Sequence, residues 1–277
     1  MEQITTIHRT DLSELNAAIE RIRLEIGKVI VGQSQMIDLM LSAILSDGHV
    51  LIEGVPGVAK TLTAKLLAKS IDVNFSRIQF TPDLMPSDVL GTSVFNPQNA
   101  SFQYKKGPIF SNIVLIDEIN RSPAKTQAAL FEVMEEKQVT FDGVTYPMSS
   151  PFIVLATQNP IEQEGTYRLP EAQLDRFLFK ITVNYPNVEE EVQILQNAHD
   201  GKTTHFNEVV QKVLSANEIA VFRQQVSCLH IERNVMEYIA KIIHETRNNK
   251  SLFLGGSPRA SVAILKTAKA FAAMRGR

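Results

Sequence analysis

The stretch Gly54-Val55-Pro56-Gly57-Val58-Ala59-Lys60-Thr61 follows the apolar run Val50-Leu51-Ile52 and continues through Leu62 into a helical pattern. Strand, glycine-rich loop and helix in this order are typical of a phosphate-binding loop, because the loop turns backbone N–H groups inward and the helix N-terminus favours an anion. We expect Lys60 to reach the β and γ phosphates and Thr61 to offer a hydroxyl to Mg²⁺, which prefers hard oxygen ligands. The stretch therefore predicts a nucleotide site in an α/β fold.

Ala59 departs from the usual form of this loop, in which a glycine precedes the lysine. We expect alanine to be tolerated there if the residue is already helical. A chance match to the loop pattern stays open at this point, so the rest of the chain has to decide.

Composition excludes several other classes of protein. The 277 residues carry a formal net charge of −2, so no global field favours nucleic acid or an anionic membrane. The single cysteine, Cys228, excludes an internal disulfide framework, and its apolar helical surroundings predict a buried thiol. The six histidines show no spacing typical of metal ligands. No apolar run approaches the ~20 residues of a membrane span, and residues 1–6 lack a basic leader, so we expect a cytoplasmic protein.

Hydrophobic periodicity predicts a parallel sheet followed by helices. Strands are predicted at 74–80, 113–116, 152–156 and 177–183, with a strand-like triplet at 29–31, and hairpins at 93–105 and 139–146. Helices are predicted at 11–28, 34–46, 123–137, 188–199, 206–213, 216–226, 232–248 and 258–274. We therefore divide the chain into an α/β core, residues 1–185, and a smaller helical domain, residues 186–277.

Asp117 and Glu118 follow the continuous apolar run at 113–116, where ligands of open α/β sheets bind. Alone, the pair is more simply read as helix-capping carboxylates. Together with a phosphate loop about 60 residues upstream, it supplies what ATP hydrolysis needs, a carboxylate for Mg²⁺ and a group that orients or deprotonates water.

Five blocks in one order resemble the MoxR family of AAA+ ATPases: residues 54–61, 115–121, 156–160, 169–177 and 255–260. The resemblance implies a P-loop AAA+ core with a helical lid. Relatives usually continue to a further lid segment after the helix that carries Arg259, so we expect the lid of this chain to be incomplete. It implies that Lys60 and Thr61 belong to Walker A, Asp117 and Glu118 to Walker B, and Asn159 to the first sensor. Val31, Gly32 and Gln33 resemble the segment that lines the adenine pocket.

The resemblance also implies that arginines act on phosphate. Arg176 matches the finger that reaches the ATP of a neighbouring subunit, with Arg168 as a competing candidate and a salt bridge to Asp175 as the plain alternative. Arg259 matches the second sensor, acting on its own or a neighbour's nucleotide, or is simply an exposed arginine in the first turn of a helix.

The function implied is hydrolysis of ATP with Mg²⁺ in a homo-oligomeric ring, expected to be a hexamer, that remodels protein clients. The family suggests metalloenzymes or proteins with von Willebrand factor A domains as those clients, with the two hairpins facing the pore of the ring, unless they are surface hairpins without client contact. A DNA-directed or chelatase-type motor is one alternative, although the hairpin tips at 96–99 and 142–143 are neutral or acidic. A nucleotide-sensing scaffold with little turnover is the other, and Glu118 argues against it.

Overall fold

The computed structural model of the protein describes residues 11–55, 57–159, 167, 169–201 and 209–277. Its centre is a parallel sheet with strand order β2-β5-β8-β1-β9. These strands are β1 (His49–Gly54), β2 (Phe75–Gln79), β5 (Ile113–Asp117), β8 (Ile153–Gln158) and β9 (Phe177–Val183). The four predicted core strands are all present, and the strand before the phosphate loop joins the same sheet.

The apolar runs form strands because both faces of the sheet are covered. Ile113 and Leu115 of β5 pack into one hydrophobic cluster, whereas Val114 and Ile116 pack into a second cluster on the other face. All residues of β5 are buried. A strand with both faces buried shows a continuous apolar run, which is why the sequence pattern identified it.

The helices before Val183 are α1 (Ser13–Gly27), α2 (Ser34–Leu45), α3 (Lys60–Ser70), α4 (Pro86–Leu90), α5 (Ala124–Glu136) and α6 (Glu171–Leu174). Helices α1, α2 and α3 contribute to the first cluster, and α5 contributes to the second. The short α4 leads directly into the first hairpin strand, which begins at Gly91. The resulting three layers are helices, sheet and helices, which is the arrangement that alternating strands and helices predict.

Two hairpins leave this core. The first pairs β3 (Gly91–Asn96) with β4 (Ser101–Lys106), and the second pairs β6 (Gln138–Phe141) with β7 (Val144–Pro147). Asp142 and Gly143 have φ of 47° and 75°, the left-handed conformations that a two-residue hairpin turn requires. Both predicted hairpins are confirmed.

Beyond Val183 the regular elements among the described residues are all helices. They are α7 (Val188–His199), α8 (Ala216–Cys228), α9 (Arg233–Asn248) and α10 (Pro258–Met274). Helix α10 packs on α1, α2 and α8, so apolar side chains of this helical part extend the first cluster. No helix in the described ranges is long and apolar enough to cross a membrane.

Two local predictions are wrong, and a third is correct only in part. Residues 29–31 form no strand, because Val29 and Ile30 are buried beside the helices and have no strand partner. Of the helix predicted at 206–213, residues 206–208 lie outside the described residues, residue 209 is helical, and residues 210–213 are not. Cys228 is exposed, since α8 turns Ile219, Phe222 and Val226 inward and Cys228 lies off that stripe.

Candidate nucleotide-binding site

The phosphate loop lies between β1 and α3, as its sequence predicts. Gly57 has φ of +86°, and Ala59 has φ of 57° at the N-cap of α3. The condition under which alanine was expected to be tolerated, a helical residue 59, is therefore not met: the alanine occupies the left-handed region, at a cost of about 1 kcal/mol relative to glycine. Pro56 lies outside the described residues.

Lys60 begins α3 and folds back over the loop. Its Nζ donates a hydrogen bond of 2.6 Å to the carbonyl oxygen of Gly54, the last residue of β1. Burial lowers the pKa of Lys60, and the charges of Asp117 and Glu118 act in the opposite direction. The structure thus brings the lysine of one motif within the electrostatic reach of the two carboxylates of another.

The predicted polar residues meet at one edge of the sheet. Gly54 ends β1, Asp117 ends β5, and Asn159 directly follows β8, which lies between those two strands. Because the strands are parallel, their carboxyl ends face the same side. Ligands of open α/β sheets bind at this edge.

Asp117 is only 7% exposed and carries two polar contacts. The Nε of Arg77 lies 2.5 Å from one carboxylate oxygen, and the hydroxyl of Thr157 donates to the other at 3.2 Å. A buried carboxylate requires a cation or donors to offset its desolvation, and here Arg77 supplies the cation. The oxygen ligands offered by Asp117 and the hydroxyl of Thr61 suit Mg²⁺ chemically, so the residues present fit that ion.

Glu118 is held in a defined conformation at the start of a 3₁₀ turn, Ile119–Arg121. Its φ of 57° is left-handed, and its backbone N–H donates to the Thr157 hydroxyl at 3.1 Å. The side chain accepts a hydrogen bond of 2.8 Å from Gln79, and the Nε of Arg121 lies 3.0 Å from the same oxygen. The carboxylate is therefore oriented by one group from β2 and one from the 3₁₀ turn that follows Glu118.

A pocket of about 420 Å³ lies beside the loop, lined by Gly32 and Gln33 and by the carboxyl end of β9. Gly32 has φ of +76°, and a Cβ there would lie 2.5 Å from the side chain of Glu190 in α7. Gly54 packs closely on β9, because a Cβ added to Gly54 would lie 2.7 Å from the carbonyl oxygen of Val183. The pocket is therefore next to the phosphate loop.

Four other predicted binding residues do not line this pocket. Val31 lines a separate pocket of about 590 Å³ between α1 and α7. Val58 is buried in the first hydrophobic cluster, and Val55 and Leu62 pack against it. These three apolar side chains hold the loop on the core.

Arg176 and Arg259 lie at the opposite edge of the sheet, where the strands begin. We call this the amino edge, and the edge where the strands end the carboxyl edge. Arg176 immediately precedes β9, whose first residue is in register with His49 at the start of β1. Nη1 of Arg176 lies 3.1 Å from one carboxylate oxygen of Glu135, and Nη2 of Arg259 donates to the other at 2.8 Å. Asp175 accepts from the hydroxyl of Ser257 instead of pairing with Arg176.

Known proteins resemble both parts of the chain. Residues 49–179 match the model of the ATPase family associated with various cellular activities (AAA), and residues 244–277 match the AAA lid domain. Chaperone MoxR1 of Mycobacterium tuberculosis is 44% identical over 268 residues, which cover 94% of this chain and 70% of that protein. The chain belongs to the MoxR family of AAA+ ATPases. The fold class inferred from the motifs is confirmed.

Two further relatives of this MoxR-family chain match most of its length. The uncharacterized protein YeaC of Bacillus subtilis is 47% identical over 263 residues, covering 95% of this chain and 80% of YeaC. The crystal structure of a candidate ATPase from Cytophaga hutchinsonii has a TM-score of 0.87 and 45% identity, covering 95% of this chain and 82% of that one.

Within this MoxR-family fold, sequence reasoning missed several side chains that touch the predicted site residues. They are Arg77, Gln79, Arg121, Thr157 and Glu135. Arg77 and Gln79 alternate with Ile78 in β2, so their side chains lie on one face of the strand. This alternation was a weak indication that they form hydrogen bonds or ion pairs with the neighbouring strand β5. Arg168, the second finger candidate, lies outside the described residues.

Proposed function

We propose that the chain hydrolyses ATP to ADP and phosphate at sites shared between neighbouring subunits of a homo-oligomeric ring, expected to be a hexamer. The observation that carries the proposal is the position of the charged groups. Lys60, Asp117 and Glu118 lie at the carboxyl edge of the sheet, and Arg176 and Arg259 lie at the amino edge.

The two edges are too far apart for one subunit to use both sets of groups. Gly54 and His49 are separated by five residue steps of β1, which is about 17 Å at the usual rise of a strand. Arg176, beside His49 in the sheet register, cannot span that distance to the phosphate loop of its own chain. The geometry supports action of both arginines on a neighbour's nucleotide.

We assign the roles as follows. Lys60 and the loop N–H groups of residues 54–61 bind the phosphates, while Gly32 and Gln33 bind the adenine base. Thr61 and Asp117 hold Mg²⁺, which neutralises phosphate charge when it is bound. Glu118 accepts a proton from the attacking water, and Asn159 orients that water or the γ-phosphate.

The part of the chain that follows the sheet is proposed to act as the lid, residues 186–277, above a core of residues 1–185. Glu190 of α7 already contacts the pocket formed by Gly32, so movement of this part changes the walls of the proposed adenine site. Lids of this kind close over bound substrate and release the product.

We further propose that ATP turnover remodels protein clients, as the name of the relative Chaperone MoxR1 suggests for that protein. Phe95 and Phe102 of the first hairpin are 51% and 73% exposed, and their ring centroids lie 5.3 Å apart with the ring planes tilted by 59°. Tyr104 anchors this hairpin through its hydroxyl to Leu90 at 2.6 Å and stacks on Phe141 of the second hairpin. Exposed aromatic side chains on a firmly anchored hairpin suit contact with apolar protein segments. The hairpin tips at 96–99 and 142–143 carry no basic residue that would favour DNA.

Metalloenzymes awaiting maturation and proteins with von Willebrand factor A domains are the client classes proposed. Binding to immobilised candidates of each class, with ATP and with ADP, tests this part. A DNA-stimulated turnover without any response to protein would favour the DNA-directed alternative.

Steady-state ATP hydrolysis against protein concentration tests the shared site. Specific activity is expected to rise with concentration as rings assemble. Arg176→Ala is expected to lower it by ~10³ or more, since fingers of this kind are worth that much, and Glu118→Gln to abolish it while binding of a fluorescent ATP analogue survives. Binding without turnover in the wild type at every concentration contradicts the proposal and favours the scaffold.

A further inference from the structure

Glu135 joins the two arginines of the amino edge. One of its carboxylate oxygens accepts from Arg259 at 2.8 Å, and the other lies 3.1 Å from Arg176. Arg176 uses the same nitrogen to donate to the carbonyl oxygen of Phe131 at 3.2 Å. The two guanidinium groups therefore share one carboxylate, although they come from sequence positions 83 residues apart.

Charge explains what the carboxylate does there. Two guanidinium groups brought to one place repel each other, and Glu135 offsets one of the two positive charges. The cluster still carries a net positive charge, and the Arg259 and Glu135 side chains are 55% and 39% exposed. An anion that approaches from outside therefore meets two arginines already placed side by side.

The position of Glu135 is set by a helix that is fixed at both ends. At its start, Gln127 of α5 donates to the carbonyl oxygens of Ile119 and Ser122, both at 3.1 Å. Near its end, the ring of Phe131 packs edge to face on Phe177 at 5.8 Å. Glu135 lies in the last turn, where the helix dipole disfavours a carboxylate, so the arginines compensate for an otherwise unfavourable site.

We infer that Glu135 is a positioning residue, which holds Arg176 and Arg259 together so that both reach the phosphates of the neighbouring subunit's nucleotide. This inference rests on the proposed function. Glu135 itself touches no substrate in this assignment. It acts by keeping two like charges at the spacing that a phosphate group accepts, because small misplacement of charged groups costs much of their effect on rate.

Glu135→Gln tests the inference, because it keeps the size of the side chain and removes its charge. We expect kcat to fall about tenfold with KM and binding of the fluorescent ATP analogue changed less than twofold. Glu135→Asp, which keeps the charge on a shorter stem, is expected to restore part of kcat. Glu136→Gln, the exposed neighbour in the same helix turn, is the matched control and is expected to match wild type.

Arg176→Ala, Arg259→Ala and the oligomer mass from light scattering separate the possible failures. If the arginine variants retain full turnover, the proposed shared site fails. If they lose turnover while Glu135→Gln equals or exceeds wild type, the shared site stands and the positioning role is overturned. A smaller oligomer for Glu135→Gln also overturns it, because Glu135 then serves assembly.

Discussion

A mixture of two inactive variants gives the strongest test of the shared site. Glu118→Gln removes the water-activating carboxylate and keeps Arg176, whereas Arg176→Ala removes the finger and keeps the carboxylate. Each variant alone is expected to form inactive rings. Because the two groups lie at opposite edges of one sheet, about 17 Å apart along β1, a site in a mixed ring can take one group from each variant.

The activity of the mixture follows from that arrangement. With random assembly from equal amounts, half of the sites hold Glu118 and half of those face a neighbour that supplies Arg176. The mixture is therefore expected to show about one quarter of the wild-type activity, whatever the number of subunits in the ring. At other ratios the activity follows the product of the two fractions, with its maximum at equal amounts.

Phosphate release measured after subunit exchange provides the assay, and a tag on one variant confirms that mixed rings have formed. Wild type diluted with each variant serves as the reference for exchange. If mixed rings are present and the mixture is no more active than the two variants measured separately, the groups act within one chain. That result would refute the assignment of Arg176 to a neighbour's nucleotide.

Three further outcomes are expected. Burial lowers the pKa of His49 from 6.5 to about 4, so the folded state gains stability that is present above pH 6.5 and is lost as the pH falls toward 4. Urea unfolding should show a loss of about 3 kcal/mol over that range, and His49→Gln should remove this part of the pH dependence. Arg77 and Mg²⁺ are expected to compete for the Asp117 carboxylate. Arg77→Gln removes the arginine, so the Mg²⁺ concentration for half-maximal binding of the ATP analogue should fall about two- to fivefold. An unchanged or higher concentration contradicts this competition. The double variant Phe95→Ala and Phe102→Ala should keep basal ATP hydrolysis and lose stimulation by a protein client, whereas loss of basal activity would place the hairpin in the nucleotide site.

The core of the fold could be predicted because its signals are local. The apolar run of β5 and the Asp142-Gly143 turn each depend on a few adjacent residues, and the structure confirms both. Local signals also produced the errors. Val29 and Ile30 of the triplet at 29–31 are buried beside helices, and only the packing of the whole chain distinguishes such residues from a buried strand.

The contacts of the candidate site could be predicted only in part. The phosphate loop and Asp117-Glu118 are contiguous motifs, so the residues themselves were evident. Glu135 lies 41 residues from Arg176 and 124 from Arg259, and no periodicity links such positions. A salt bridge of Arg176 with its neighbour Asp175 was the plain alternative to the finger, and the fold instead brings Ser257 to Asp175. Ion pairs between residues far apart in the chain can be identified only from the three-dimensional structure.

The separation of the two edges of the sheet also limits the symmetry of an active assembly. With the proposed roles, the surface that holds ATP differs from the surface that presents Arg176 and Arg259. A two-fold dimer places like surfaces together, so only a head-to-tail contact joins the two different surfaces. A closed cycle of such contacts completes every site, whereas an open arc leaves one loop without arginines and one pair of arginines without a nucleotide. Closure of the cycle, and not pairing of subunits, is then the event that makes the last site competent.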